Sequence, residues 1–131
     1  HTLVDLIRSS PVVPVLGDGR YRRQPIHVDD LSDAVLALLA KPLSNQAFDA
    51  GGATAHPMNE IIDIIAKAMH RSVRRLHIPK AVFVRGARLS KDFDPDLIGA
   101  ADEDEVADST ELGEVTGVAF RDFSEGVRCL I

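Results

Sequence analysis

The stretch GDGRYRRQPIHVDDLSDAVLALLAKP, residues 17–42, decides how the rest of the chain is read. Gly17-Asp18-Gly19 supplies a tight turn, because glycine takes positive φ without steric cost. Three arginines follow within four positions: Arg20, Arg22 and Arg23. Ile26, His27 and Val28 read as a short extended segment, and Asp29 and Asp30 as N-cap candidates for the helix behind them. Leu31, Ala34, Val35, Leu38 and Leu39 recur at helical spacing and predict one buried helical face. Pro42 stops the helix.

Outward from this stretch, helical and extended patterns alternate. Leu3, Leu6 and Ile7 predict a helix over 2–10, with Thr2 as its cap. Residues 12–16 predict a strand that Pro14 confines to a sheet edge. A short strand fits 46–50, between the proline-stopped helix and Gly51-Gly52. Residues 57–70 predict a second long helix, with Pro57 at its first position. Its apolar face is Met58, Ile61, Ile62, Ile65, Ala66 and Met69. Residues 73–78 read as a strand closed by Pro79, 79–90 as a helix weakened by Gly86, and 91–105 as an acidic loop. A short strand fits 106–110. The last helix spans 122–131, with Asp122 and Glu125 at capping-box spacing. This alternation predicts an α/β fold with a small mixed sheet and flanking helices.

The order VLGDG, basic residues, PIHVDDLSDAV, helix, AFDAGGA, helix resembles the C-terminal half of extended or atypical short-chain dehydrogenases/reductases. These are the NAD(P)-dependent epimerase/dehydratase-like proteins. The tail DEDEVADSTELGEVTGVAFRDFSEGVRCLI resembles the family's last strand, loop and helix. The resemblance implies that the chain is the substrate-side C-terminal lobe of a Rossmann-type protein. The N-terminal dinucleotide-binding domain would then lie outside it, and NAD or NADP would be the cofactor of the whole. The family's cofactor turn needs closely spaced glycines, so that the backbone can approach a pyrophosphate at a helix N-terminus. Here Gly17-x-Gly19 is followed by Arg22, and Gly51-Gly52 stands alone. The family's Tyr-x-x-x-Lys is absent too: Tyr21, the only tyrosine, has Pro25 four positions on. This chain is therefore expected to bind no cofactor and to carry no catalytic residue of its own.

The sharpest binding candidates are Arg20, Arg22 and Arg23, because guanidinium forks match phosphate oxygens bidentately. In family members acting on sugar nucleotides, the arginine just before the H/Y-V-D-D segment contacts the substrate diphosphate. By motif position that is Arg23, so the resemblance implies a phosphate-bearing small-molecule substrate. Gln24-Pro25 departs from the acidic and aromatic pair usual there. A solvated strand face is the plain alternative for the three arginines.

Other residues invite chemistry and read better as structure. His27, Asp29 and Asp30 suit a capped helix start better than a metal or acid–base site. His56, His70 and His77 lack ligand spacing with a second histidine or cysteine, so no metal is expected. Asp92, Asp94, Asp96 and Glu103 match calcium-loop spacing, but Leu97 stands where that loop needs glycine. Cys129 reads as packing on the last helix, since a nucleophile needs a base and an electropositive setting.

Composition bounds the rest. With 131 residues and 45% apolar content, one globular domain over 1–131 is expected. A net charge of −5 offers no general attraction to nucleic acid or anionic membranes. A single cysteine precludes an intrachain disulfide framework and suits a reducing cytoplasm. No apolar run approaches bilayer-spanning length. The opening inside an apolar helical pattern reads as a piece of a longer protein. Such a piece would leave apolar faces uncovered, and a homo-oligomer is expected. Three functions stay open: the substrate lobe of an NAD(P)-dependent epimerase, dehydratase or reductase; the same lobe of a non-catalytic member acting as a dinucleotide sensor or assembly subunit; and an independent small-ligand module.

Overall fold

The computed structural model describes residues 2–42, 45–87 and 101–130. Six helices are assigned among them: α1 (Thr2–Ser9), α2 (Val28–Leu39), α3 (Met58–Ala68), α4 (Lys80–Ala87), α5 (Thr110–Thr116) and α6 (Phe123–Leu130). The strands are β1 (Val12–Leu16), β2 (Arg22–Arg23), β3 (His56–Pro57) and β4 (Arg74–Ile78). The protein is thus mixed α/β with small sheets, as its alternating patterns predict. Its contacts divide it into two compact units, one of residues 1–22 and 57–104, the other of 23–56 and 105–131.

The first unit is built on a parallel pair, β1 beside β4, with Val13 opposite Arg75 and Val15 opposite His77. Strand side chains alternate, so Val13 and Val15 point inward and are buried while Val12 and Pro14 face out. Helix α1 packs against α3. Ile7, Ile61, Ile62, Ile65 and Ala66 join the two valines in the core. Four of the six apolar residues read on α3 are therefore fully buried. Helix α3 ends without glycine. His70 adopts φ 52°, and the Arg71 N–H closes back on the Ala66 carbonyl at 2.8 Å, the wide loop typical of a left-handed helix stop. Strand β4 buries none of its five residues, and Leu76 is left 55% exposed.

The second unit packs α2 on α5, around buried Ala34, Leu112 and Val127. Here the structure corrects the sequence reading in several places. Residues 26–28 form no strand, because Val28 is already the first residue of α2. The cap is His27, not Asp29 or Asp30: its Nδ1 accepts the Asp29 N–H at 3.2 Å. Asp30 instead turns inward. Of the face predicted to be buried, only Ala34 is; Leu31, Val35 and Leu39 are 37%, 47% and 77% exposed. The helix is rotated so that Asp30 and Ala34 face the interior, where an ion pair takes the place of leucines.

The strands expected over 46–50 and 106–110 are also absent. Ala107 spends its N–H on the Gln24 side chain, and α5 begins at Thr110. That helix goes unpredicted from sequence although its signals are present. Asp108 accepts the Thr110 N–H at 3.0 Å, which also lowers the Asp108 pKa through the Thr110 hydroxyl and N–H. Gly117, at φ 73°, ends the helix. The candidate calcium positions Asp92, Asp94 and Asp96 lie outside the described residues. No helix among those described is long and apolar enough to cross a membrane.

Candidate functional site

In the first unit, polar side chains gather where the glycine turn meets the start of α3. Gly17 and Gly19 take φ of 60° and 69°, and the Gly17 N–H extends the β1–β4 ladder to the Ile78 carbonyl. The turn then runs towards β2 rather than into a helix. Asn59, in the first turn of α3, clamps it from two sides. Its backbone N–H donates to the Gly19 carbonyl at 3.0 Å, and its Nδ2 to the Asp18 carbonyl at 2.8 Å. That leaves Asn59 Oδ1 as an acceptor for His77 Nε2 at 3.2 Å, which places the imidazole proton on Nε2. Arg75 donates to the Asn59 carbonyl at 3.1 Å and pairs with Asp63 at 2.7 Å.

Arg20 stands at the rim of this turn. Its N–H binds Asp18 Oδ1 at 2.9 Å, while its guanidinium, 3.8 Å from the same carboxylate, is 87% exposed. Arg22 anchors its backbone N–H on Asp104 at 2.7 Å. Lys80 binds Asp102 at 2.5 Å, and this bond holds the Asp102 carboxyl below the usual carboxylate range.

The second unit contains Arg23. Its side chain is mostly buried, at 19% exposed, and its Nε lies 3.3 Å from the exposed carboxylate of Glu105. Next to it, Gln24 uses both ends of its amide. Nε2 donates to the Gly52 carbonyl at 2.7 Å, and Oε1 accepts the Ala107 N–H at 2.9 Å. The Gly52 N–H returns to the Gln24 carbonyl at 3.3 Å. The Ser109 hydroxyl ties both the N–H and the carbonyl of Gly51, each at 2.9 Å. The glycine pair is thus held by backbone and side chain together.

Two further clusters organise this unit. Asp30, 4% exposed, pairs with the Arg121 guanidinium at 2.6 Å and accepts the Arg121 N–H at 2.9 Å. The Asp30 carboxylate raises the Arg121 pKa above its already high value. Asp122 caps α6, accepting the Ser124 hydroxyl at 2.7 Å and the Ser124 N–H at 2.9 Å on Oδ1. His56 Nε2 lies 3.4 Å from Oδ2 of the same carboxylate. The Ser124 hydroxyl and N–H, followed by His56, hold the Asp122 pKa at about 2.

These three groups do not make a nucleophile. The serine hydroxyl donates its hydrogen bond to the carboxylate, not to the imidazole, and Asp122 stays ionised. The arrangement is a helix cap braced by a histidine. His27 completes the unit's polar interior. Its Nε2 is buried with no hydrogen-bond partner, and a Cβ on Gly126 would stand 3.1 Å from its ring.

The structure therefore places Arg20 and Arg22 in one unit and Arg23 in the other. Adjacent Arg22 and Arg23 alternate, exposed then half-buried, along β2. Sequence reasoning gave no role to Asn59, Arg75, His77 or Arg121. The signal for Arg75 and His77 was there: they alternate with Leu76 and Ile78 on β4, as in a strand with one face on a polar cluster. Cys129 corrects an expectation, since it is exposed rather than packed. The described residues contain no group of three histidine, cysteine, aspartate or glutamate side chains placed to hold a metal ion.

No family model matches the sequence, and no curated protein does. Solved structures do match the fold. UDP-glucuronic acid 4-epimerase from Bacillus cereus, in complex with NAD, is 16% identical with a TM-score of 0.70, over 98% of this chain and 35% of its own. UDP-glucose 4-epimerase from Thermotoga maritima, with UDP-glucose, is 20% identical with a TM-score of 0.69, over 96% and 35%. dTDP-glucose 4,6-dehydratase from Bacillus anthracis, in complex with NAD, is 16% identical with a TM-score of 0.70, over 97% and 35%. The protein thus has the fold of part of Rossmann-type NAD-dependent epimerases and dehydratases, and spans about a third of their length.

Proposed function

We propose that this chain is the substrate-side part of an NAD(P)-dependent epimerase, dehydratase or reductase, and that Arg23 binds a phosphate-bearing substrate. The observation that carries this reading is the fold likeness, which takes in nearly all of this chain and only about a third of each enzyme. The sequence is in keeping with it, having neither a cofactor-binding glycine turn nor Tyr-x-x-x-Lys. On this reading the rest of such a protein supplies NAD or NADP and the catalytic base, and this chain alone performs no catalysis.

Arg23 suits the role better than its neighbours. A mostly buried side chain in a preformed ion pair gives up little freedom on binding, whereas the exposed Arg20 would have to be ordered first. A diphosphate would take the place of the exposed Glu105 carboxylate. Titration of the chain with UDP tests this. Arg23→Ala should weaken UDP binding by about tenfold to a hundredfold, the loss of a charge-assisted hydrogen bond worth roughly 1.5–3 kcal/mol. Equal affinity of the two proteins retires the assignment.

A second reading is that the parent is a non-catalytic member of the same fold, serving as a dinucleotide sensor or assembly subunit. Gln24 favours it. That amide must donate to Gly52 and accept from Ala107, and a carboxylate, which sugar-nucleotide members usually carry there, could not do both. The position is committed to the fold instead of to a substrate.

A further inference from the structure

We propose that Glu105 sets the affinity of the Arg23 site from within the chain: its carboxylate is an internal competitor that holds the arginine until an anionic ligand displaces it. This rests on the reading of Arg23 as a phosphate ligand and adds what governs that site. The two side chains meet at 3.3 Å but are unequally placed, Arg23 being 19% exposed and Glu105 76%. The arginine is withdrawn and ordered, while the acid lies largely in water.

The backbone delivers the acid without needing the ion pair. Arg23 and Glu105 face each other in a parallel bridge. Beyond it, Gln24 Oε1 takes the Ala107 N–H, and the Ser109 hydroxyl ties Gly51. Residues 105–109 are therefore held by bonds in which the Glu105 carboxylate has no part. It can leave Arg23 while the backbone stays in place. The Asp30–Arg121 pair is built in the opposite sense. Asp30 is 4% exposed and accepts the Arg121 N–H as well as the guanidinium, so displacing it would leave a buried charge unpaired. Among the described residues the Glu105 carboxylate accepts no backbone N–H, and once displaced it is solvated.

Competition of this kind has a calculable size. A ligand binds only the fraction of molecules whose arginine is released, and its apparent affinity falls by that fraction. An ion pair with one exposed end is modest, so removing it should tighten binding by about twofold to sixfold. A phosphate still enters, because it brings more charge and more acceptor oxygens to the guanidinium fork than a carboxylate does.

Calorimetric titration of the 131-residue chain with UDP tests this in four proteins: wild type, Glu105→Gln, Arg23→Ala and the double variant. Glu105→Gln should bind UDP about twofold to sixfold more tightly than wild type. In the Arg23→Ala background the same change should give no gain, because the competition acts through Arg23. Carbon- and nitrogen-detected spectra of the wild-type chain give a second readout that needs no variant. As UDP is added, the Arg23 Nε–H and the Glu105 side-chain carboxyl carbon should shift with one common midpoint. If Arg23→Ala weakens UDP binding but Glu105→Gln leaves it equal or weaker, the competitor is overturned and the Arg23 assignment stands. An equal gain in both backgrounds overturns it too, as a general effect of charge. So does an Arg23 shift with the Glu105 carbon unmoved. UDP affinity indifferent to Arg23→Ala retires both readings.

Discussion

Gly52→Ala should destabilise the chain by about 3 kcal/mol or more, the upper end of what an inserted methyl costs in a packed interior. A Cβ at Gly52 would overlap the carbonyl oxygen of Pro25 and stand 3.7 Å from the Ile26 Cα. Both are backbone atoms, so no rotamer change relieves the clash. The segment 24–26 would have to move away, and with it would go the Gly52 N–H bond to the Gln24 carbonyl and the Gln24 side-chain bond to the Gly52 carbonyl. Gly51 beside it makes a useful contrast. There a Cβ would meet only the end of the Gln24 side chain, which can swing aside, so Gly51→Ala should cost less. Urea unfolding followed by circular dichroism measures both, and a Gly52→Ala midpoint equal to wild type would contradict the close approach.

Asp30→Ala should be the most damaging single side-chain truncation in the second unit, at about 2–4 kcal/mol. Three losses combine. The Arg121 guanidinium loses its partner, the Arg121 N–H loses its acceptor, and a void opens beside Ala34 at the interior side of α2. Asp29→Ala, one position away, removes an exposed carboxylate and should stay within about 0.5 kcal/mol. If the two variants unfold at the same urea concentration, the inward ion pair does not organise α2.

The sequence made these features legible to different degrees, for physical reasons. Helix α3 could be read because its burial is uniform: every interior position is aliphatic, so period and face emerge together. Helix α2 misled because its period is equally clear but its face is set by a partner far along the chain. Nothing local says that Arg121 will draw Asp30 inward and leave three leucines and two valines outside. The cap failed for a related reason, since two aspartates in sequence look like better caps than a histidine until one is claimed elsewhere. Residues 46–50 and 106–110 look like strands by their boundaries, but a strand exists only with a ladder partner, which propensity does not supply. Helix α5 was hidden by Gly113 in a seven-residue span, too short for an apolar period to show. Of the binding candidates, Arg23 was picked out by motif position; that its side chain would be mostly buried and already paired was not.

The central claim is that this chain carries the substrate side of its fold and no dinucleotide site of its own. Titration of the 131-residue chain with NADPH, followed by the coenzyme's own fluorescence and by calorimetry, tests it most directly. The account predicts no saturable signal at micromolar NADPH, because the Gly17-Asp18-Gly19 turn leads towards β2 and its Gly19 carbonyl already takes the Asn59 N–H at the start of α3. A saturating one-site isotherm would contradict it and assign the cofactor to this chain.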